Sequence, residues 1–418
     1  MNMNNPNTST FYPKQLTDFE LYKLGISVEN FNIVNTLEEL RNSPPNIIIA
    51  KCVNNVQFTQ NKFAKQTLIK KNRYVMGAGV YMQLHCDTRT NMEFLKPSEI
   101  QFKKIYRHYN GQNLDNKSIL IFRQGGIGDL LFIQPNLSYL KQKYPTCTIK
   151  IACGPQYQSM VKEWECVDQV LDLPFLIDEL FKADYHCVFE GVIERCKEAE
   201  NTCAYNLFSN WMGLKLPDEL LVPKQKPNKI LVDKAKEFLK RVGLEEKDFI
   251  VLQMKASSPI RTPDPKIWIK LIDILTEKGH NIIVTDNPLI SKDIDGIISQ
   301  LKNQDKVKNF TKDSETIGDT IALISLAKLV IATDSALPHI AESVGVKSFG
   351  IMGPFPGEIR FSTYNNNDWI NVTREECSPC FSHGTQPCKN SNQSYSMCYN
   401  YLDYDLAIEK IERLLEDV

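Results

Sequence analysis

The sequence predicts the α/β fold class, with two doubly wound blocks in series and a smaller block before them. Three observations support this prediction. The stretch Ser118–Tyr144 has the pattern of a buried strand, a glycine-rich turn and a helix. From Ser118 onwards, apolar strand-like runs alternate with helical patterns. The segment Leu216–Lys229 concentrates proline and lysine, as a linker does, and divides the alternating region into two blocks.

The composition is that of an ordinary globular chain. Its 418 residues suffice for two or three domains, and its net charge of −1 gives no global field that favours nucleic acid or membrane. No apolar run is long enough to cross a bilayer, and the first residues lack a signal-peptide pattern. Eight of the twelve cysteines are scattered, mostly within apolar runs. We therefore expect a reducing, cytoplasmic location, with peripheral attachment to an inner membrane as an alternative.

The N-terminal part has two predicted regions. Residues 1–14, rich in Asn, Pro, Ser and Thr, are expected to form a disordered tail. Residues 15–112 lack regular strand–helix alternation, and their strand-like runs lie at Asn46–Cys52 and around Arg73–Leu84. We interpret them as a small, mainly β appended domain in which no residue indicates chemistry.

The two alternating blocks carry the predicted elements of the α/β fold. The first block has predicted strands at Ser118–Phe122, Cys147–Ala152, Gln169–Leu173 and Tyr185–Phe189, and a short helix at Asn206–Met212. The second block has predicted helices over Val232–Val242, Lys266–Lys278, Ile317–Ala327 and Leu337–Val344, and strands over Phe249–Met254, Asn281–Thr285, Leu329–Ala332 and Lys347–Ile351. Two such blocks predict a ligand cleft between domains.

The turn after the first strand of the alternating region contains three glycines and Asp129. Glycines at 125, 126 and 128 let the backbone approach a ligand closely. Asp129 stands where the helix begins, so it is either an N-cap or a carboxylate beside a ligand crevice. The spacing differs from G-x-G-x-x-G and no Walker lysine follows, which argues against nicotinamide or P-loop binding.

Three segments of the chain carry a combined pattern: Gly126–Asp129 with Pro135, Ala256–Pro263 closed by Trp268, and Thr333–Ala341 followed by Gly345-Val346 and Gly353-Pro354. In this order they resemble one family, glycosyltransferase family 9. This family comprises the ADP-heptose:lipopolysaccharide heptosyltransferases and includes those that modify autotransporters. The resemblance covers Ser118 to Val418.

The resemblance implies a GT-B fold, in which two Rossmann-like domains face a cleft, and an inverting glycosyltransferase without a catalytic metal. The enzyme would move heptose or a related sugar from a nucleoside diphosphate sugar, with ADP favoured, to a hydroxyl of a glycan or a protein. A modified DNA base is a third acceptor. Composition and the resemblance together predict six regions: a tail (1–14), an appended domain (15–112), an acceptor-side domain (113–222), a nucleotide-sugar-binding domain (223–375), a cysteine-rich finger (376–400) and a closing helix (401–418).

The resemblance also assigns roles to single residues. Asp129 matches the general base, which must lie within about 2.6–3.2 Å of the acceptor hydroxyl. Arg261 matches the cation that contacts the donor diphosphate; the alternative is a solvated cation on a turn. His339 is expected to reach a ribose or phosphate, or else to be a core or surface histidine. The whole set expected to bind the donor is Gly126, Gly128, Lys255, Ser257, Ser258, Arg261, Asp286, Asp334, Ser335, Ala336, Leu337, His339, Gly353 and Pro354.

Departures from the family pattern motivate a second, non-catalytic hypothesis. Lys255 stands where the family usually has glycine. Thr262, where the family often has tryptophan, concerns the shape of the donor pocket instead. Ala336 replaces a glycine and loses its conformational freedom. A scaffold that retained the GT-B shell but binds no nucleotide sugar would tolerate these changes.

Four cysteines near the C-terminus form a spaced cluster within polar, loop-forming sequence: Cys377, Cys380, Cys388 and Cys398. Four thiolates suit a tetrahedral zinc or iron ion of structural role. Free thiols or two disulfides are the alternatives. Protein heptosyltransferases that modify autotransporters hold iron in a comparable finger, and a homo-oligomer is compatible with this layout.

Overall fold

The computed structural model describes residues 36–42, 47–60, 64–77, 80, 84, 92–94, 106–372, 375–382, 388, 390 and 395–416. The predicted disordered tail, residues 1–14, lies outside the described residues. Residues 15–35 of the predicted appended domain lie outside them too.

The described elements follow the predicted alternation, with ends that shift by one to a few residues. The strands are β1 (Ile48–Cys52), β2 (Val56–Gln60), β3 (Ala64–Leu68), β4 (Arg73–Met76), β5 (Met92–Phe94), β6 (Ser118–Phe122), β7 (Thr148–Ala152), β8 (Gln169–Leu171), β9 (Phe175–Leu176), β10 (Tyr185–Val188), β11 (Phe249–Leu252), β12 (Asn281–Val284), β13 (Val307–Asn309), β14 (Leu329–Thr333), β15 (Lys347–Met352) and β16 (Asn367–Asn371). The helices are α1 (Leu37–Asn42), α2 (Ile127–Lys143), α3 (Gln158–Val161), α4 (Ile177–Lys182), α5 (Val192–Arg195), α6 (Ala204–Trp211), α7 (Lys229–Val242), α8 (Pro265–Glu277), α9 (Ser291–Ile298), α10 (Ile317–Ser325), α11 (Ala336–Ser343), α12 (Glu358–Phe361) and α13 (Tyr404–Glu416).

The chain divides into two compact units that each use several segments. Unit 1 comprises the described residues of Met1–Gln124, Tyr144–Pro155 and Asp168–Cys196, and unit 2 comprises those of Gly125–Lys143, Gln156–Val167 and Lys197–Val418. The helix after the first glycine-rich turn therefore belongs to unit 2, although the strand before it belongs to unit 1. The predicted domain boundaries stay predictions.

Unit 1 combines a parallel sheet with an antiparallel one. The parallel sheet has the order β10-β6-β7-β8, and the antiparallel sheet has the order β5-β1-β4-β9. Strand β9 comes late in the chain yet pairs with β4, and Phe122 and Phe175 share one buried cluster with Val75. The described part of residues 15–112 thus shares its core with later segments, and a separate appended domain stays a prediction.

Unit 2 is built on a six-stranded parallel sheet of order β13-β12-β11-β14-β15-β16. The order reverses between β11 and β14, which makes a topological switch point, where open α/β sheets bind ligands beyond the carboxyl ends of their strands. All five residues of β14 are buried, as expected of a central parallel strand. The predicted α/β class with parallel sheets is confirmed.

Local signals explain where the helices of unit 2 begin and end. Asn228 caps α7 by accepting the backbone N–H groups of Ile230 and Leu231, and Gly243 ends that helix with φ of 75°. Asp264 caps α8 through the N–H of Lys266, and Pro265 takes the first helical position, where its missing N–H costs nothing. None of the helices of the described part of the chain has the length and apolarity needed to cross a membrane.

The core of unit 2 gives a direct stability test at Leu271 of α8, which is fully buried among the side chains that cover the sheet. We expect Leu271→Ala to lower the free energy of unfolding by about 2–5 kcal/mol, since it leaves a cavity. Ile230→Ala is the control because Ile230 is 77% exposed on α7. Urea unfolding followed by circular dichroism measures both. Equal effects at the two positions would contradict this description of the core.

Candidate active site

The turn before α2 places Asp129 in the first turn of that helix. The N–H of Leu130 bonds to the carbonyl of Gly126 at 3.0 Å, and Gly126 has φ of 89°, in the left-handed region. A Cβ atom at Gly126 would lie 1.9 Å from Oδ2 of Asp129, so the partly buried carboxylate rests over the Gly126 backbone. The N-cap alternative for Asp129 is wrong, because this residue lies within the helix.

The loop after β11 carries Arg261 beside the carboxyl edge of the sheet. The side chain of Arg261 is 25% exposed, and its Nη2 donates to Oγ of Ser257 at 2.7 Å. Ser258 is buried, and its carbonyl accepts from the hydroxyl of Thr262. The hydrogen bond to Ser257 therefore fixes the orientation of the Arg261 guanidinium within its own loop, while part of this group faces solvent.

Lys255 and Asp286 stand together at the ends of β11 and β12. The backbone N–H of Lys255 donates to Oδ2 of Asp286 at 2.9 Å, and the Lys255 ammonium is 3.8 Å from Asp293. Burial raises the pKa of Asp286 to about 6, although the N–H groups of Asn287 and Lys255 act in the opposite direction. This position therefore has a carboxyl group whose pKa lies above the ordinary range of an aspartate.

The turn between β14 and α11 brings Asp334 against two guanidinium groups. Nη1 of Arg261 donates to the backbone carbonyl of Asp334 at 3.2 Å and lies 3.5 Å from its Oδ2. Nε of Arg360 lies 3.3 Å from Oδ1 of the same carboxylate. Ser335 donates to Oε1 of Gln253 at 2.7 Å, which ties this turn to the end of β11.

The replacement of the family glycine by Ala336 causes no backbone strain. Ala336 is the first residue of α11, and it is absent from the residues with positive φ in the described chain. Leu337, next in this helix, is buried. An alanine therefore fits this turn, because a helical conformation is open to any L-residue.

His339 lies in the core, in the environment that the core-histidine alternative describes. It is 2% exposed, its Nδ1 is 2.6 Å from the hydroxyl of Tyr364, and that hydroxyl also bonds to the hydroxyl of Tyr205. A Cβ atom at Gly128 would lie 3.3 Å from Cδ2 of His339, and the ring of Phe132 is 4.8 Å away. A direct contact with a ligand would need this ring to move.

The segment around the C-terminal cysteines packs on two of the predicted loops. The hydroxyl of Tyr399 donates to the carbonyl of Arg261 at 3.1 Å, and a Cβ atom at Gly353 would lie 2.9 Å from the Tyr399 ring. The N–H of Phe381 donates to the carbonyl of Pro354 at 3.2 Å. These contacts leave no space for a larger residue at Gly353.

The cysteines themselves do not form a ligand set in the described residues. Cys377 and Cys380 are exposed and Cys398 is buried. Partial desolvation and the neighbouring thiols of Cys380 and Cys388 raise the pKa of Cys377. Within the part of the chain that the structure describes, no three His, Cys, Asp or Glu residues are grouped so that they could hold a metal ion. The predicted zinc or iron site therefore gains no support, and no step below depends on a metal.

Sequence reasoning missed Arg360, Tyr364 and Tyr399, which organise this site. Arg360 follows Pro354 by six residues, in a stretch with no glycine-rich or metal-ligand spacing. Its guanidinium is buried and lies 4.3 Å from the ring of Phe355. The available signal was the position of Arg360 between two apolar residues, Ile359 and Phe361. An arginine that is buried with such neighbours almost always needs a carboxylate partner.

The buried ring of His339 predicts a pH-dependent stability. Burial lowers the pKa of His339 to about 3, so the folded protein keeps this ring neutral. When the pH falls below 6.5, the ordinary pKa of histidine, His339 takes up a proton in the unfolded chain but stays neutral in the folded protein. The stabilising contribution is full above that pH and is lost as the pH falls, by about 2 kcal/mol between pH 7 and pH 5.

The test compares the free energy of unfolding of the wild type and His339→Gln at both pH values. The wild type should lose about 2 kcal/mol more than the variant on going to pH 5. The raised pKa of Asp286 acts in the opposite direction but is present in both proteins, so it cancels. An identical pH dependence would contradict a neutral, buried His339.

The part of the chain that contains most of the site matches the model of a known protein family. Residues 205–390 match the model of glycosyltransferase family 9 (heptosyltransferase). None of the curated protein sequences compared with the chain matches it. The matched region contains Arg261, Asp334 and His339, so it includes two of the three segments on which the predicted resemblance rests.

Three solved structures share the fold. The glycosyltransferase family 9 protein of Veillonella parvula DSM 2008 is 15% identical, with a TM-score of 0.58 over 73% of this chain and 99% of that one. The ADP-heptose lps heptosyltransferase II of E. coli is 14% identical, with a TM-score of 0.55 over 72% and 99%. The iron-containing dodecameric glycosyltransferase TibC of enterotoxigenic E. coli H10407 is 12% identical, with a TM-score of 0.51 over 90% and 92%.

At these identities the solved structures show the shared fold alone, and the family model matches residues 205–390, which is less than half of the chain. The resemblance predicted from the sequence is therefore confirmed: this chain resembles glycosyltransferase family 9, and the predicted enzyme class, a glycosyltransferase, is the class of that family.

Proposed function

We propose that this chain transfers a sugar, heptose or a close relative, from a nucleoside diphosphate sugar to an acceptor hydroxyl with inversion at the anomeric carbon. One observation carries the proposal. A partly exposed guanidinium, Arg261, lies against the turn at Asp334 and Ser335, at the switch point of the parallel sheet in unit 2. This is where a doubly wound sheet binds a nucleotide.

The donor diphosphate would bind to Arg261 and to the start of α11. Arginine has five N–H donors in a planar fork, and the contacts of Arg261 with Ser257 and Asp334 leave others for phosphate oxygens. The first N–H groups of α11 lack partners within the helix and point towards the same turn. Lys255, 45% exposed at the end of β11, adds a second cation.

Asp129 would act as the general base on the acceptor. It lies in the first turn of α2, next to Gly128, and Gly128 packs on His339 of α11 within the same unit. The carboxylate takes the proton of the acceptor hydroxyl while that oxygen forms its bond to the anomeric carbon. The bond from the anomeric carbon to the diphosphate oxygen breaks, and the nucleoside diphosphate leaves with the negative charge that Arg261 stabilises.

The donor and the acceptor follow from different arguments. ADP-heptose is the proposed donor because the E. coli relative bears that donor in its name. A glycan or a protein is the proposed acceptor; a DNA base is less favoured because a net charge of −1 supplies no strong field for nucleic acid. A homo-oligomer is part of the proposal, since TibC is described as dodecameric. The GT-B arrangement and a cytoplasmic location stay predictions.

The base assignment is tested with Asp129→Asn, which keeps the size of the side chain and removes its basicity. Transfer from ADP-heptose should fall at least about a hundredfold, because general-base catalysis contributes that much. Calorimetry with ADP should give an unchanged Kd, since the proposal assigns Asp129 to the acceptor hydroxyl and assigns its side chain no contact with the donor diphosphate. Asp233→Asn, on the exposed face of α7, is the matched control and should leave both quantities unchanged.

Two outcomes would contradict the proposal at different levels. An Asp129→Asn enzyme with wild-type transfer rates would exclude Asp129 as the base. A wild-type chain that binds neither ADP nor UDP, and transfers no sugar from either class of donor, would favour the non-catalytic scaffold instead.

A further inference from the structure

We propose that Arg360 is a positioning residue for donor binding. It neutralises Asp334 from the buried side and so leaves the charge of Arg261 available to the donor diphosphate. The inference rests on the proposed function, because it concerns the same nucleotide site. Arg360 itself is assigned no contact with the donor.

The carboxylate of Asp334 divides its two oxygens between two arginines. Oδ1 lies 3.3 Å from Nε of Arg360, and Oδ2 lies 3.5 Å from Nη1 of Arg261. The side chain of Asp334 is 4% exposed, so solvent does little to weaken these interactions. Neutralisation of the carboxylate must therefore come from the protein.

The two arginines differ in what they can reach. The Arg360 side chain is 6% exposed and its guanidinium lies over the ring of Phe355, whereas that of Arg261 is 25% exposed. A buried guanidinium is costly unless it is paired, and Asp334 is the carboxylate that pairs with Arg360 here. The buried arginine thus stays with Asp334 while the other faces the solvent side of the site.

The net charge of Arg261, Arg360 and Asp334 connects this geometry with donor binding. Together, the two guanidinium groups and the one carboxylate carry one net positive charge, on the side where Arg261 is exposed. Without Arg360, Arg261 and Asp334 would form a neutral pair, and the attraction for a diphosphate would fall. A carboxylate beside a phosphate-binding arginine is compatible with donor binding only because a second arginine compensates it.

The position of Arg360 on α12 is itself well determined. The helix begins after Gly357, whose N–H donates to Oδ1 of Asn371 at 2.9 Å, and the N–H of Arg360 bonds to the carbonyl of Gly357. A Cβ atom at Gly357 would lie 2.3 Å from the ring of Trp369. The backbone that carries Arg360 is therefore fixed independently of Asp334, as a positioning role requires.

The experiment measures the Kd of ADP by calorimetry for the full chain, at two salt concentrations. Arg360→Met should weaken ADP binding roughly tenfold or more, and the salt dependence should decrease, because one positive charge is lost. Arg360→Lys, which keeps the charge, should recover part of the affinity. Combining Arg360→Met with Asp334→Asn removes one charge of each sign and should restore most of the affinity.

The double variant separates charge compensation from a merely structural role. If Arg360 only supported the fold, removing Asp334 as well would leave ADP binding as weak as in Arg360→Met or weaker. Arg241→Met is the matched control, because Arg241 also pairs with a carboxylate, that of Asp313, and lies over a phenylalanine ring, that of Phe238. It is exposed on α7 and should leave the Kd of ADP unchanged.

The outcomes that overturn the inference differ from those that overturn the proposed function. Wild-type affinity in Arg360→Met, or no recovery in the double variant, would overturn the inference alone. Absence of ADP and UDP binding by the wild type would overturn the proposed function, and the inference with it. Should Arg360→Met fail to fold, Asp334→Asn alone decides: ADP binding tighter than wild type supports the inference, because two uncompensated guanidinium groups then remain, and equal or weaker binding contradicts it.

Discussion

The buried carboxylate of Asp334 is the constraint on which the donor side of the site depends. Asp334 follows directly after β14, next to the point where the strand order reverses. Because β14 is paired within the sheet up to Thr333, the backbone at Asp334 has little conformational freedom. Because water cannot solvate this charge, the surrounding chain supplies two guanidinium groups for it, those of Arg261 and Arg360. The loop after β11 and the helix after β15 are thereby held to one turn.

A second buried polar group connects the donor loops with the helix that carries the proposed base. His339 is kept neutral by burial, bonds to Tyr364 and packs on Phe132 and Gly128. A charged or mobile side chain at this point would loosen the contact between α2 and α11. The carboxylate of Asp129 and the turn at Asp334 are therefore parts of one packed unit, and their relative placement follows from core packing.

Part of this site could be predicted from the sequence, and the reason lies in local patterns. Gly126 and Asp129 were recognisable because a glycine-rich turn after an apolar run has a local signature. Arg261 and Asp334 were recognisable as members of separate turns. Arg360 was not, because its role depends on a carboxylate that is distant in the sequence and close only after folding.

The amino-acid sequence by itself determined the alternation of strands and helices, the parallel sheet class and the residues of each turn, since these follow from periodicity and from local turn chemistry. Tertiary structure alone decided that α2 belongs to unit 2, that His339 is a core residue and that Asp334 lies between two arginines. Those outcomes depend on burial and on charges brought together from separate segments, and neither quantity is a property of any single stretch of sequence.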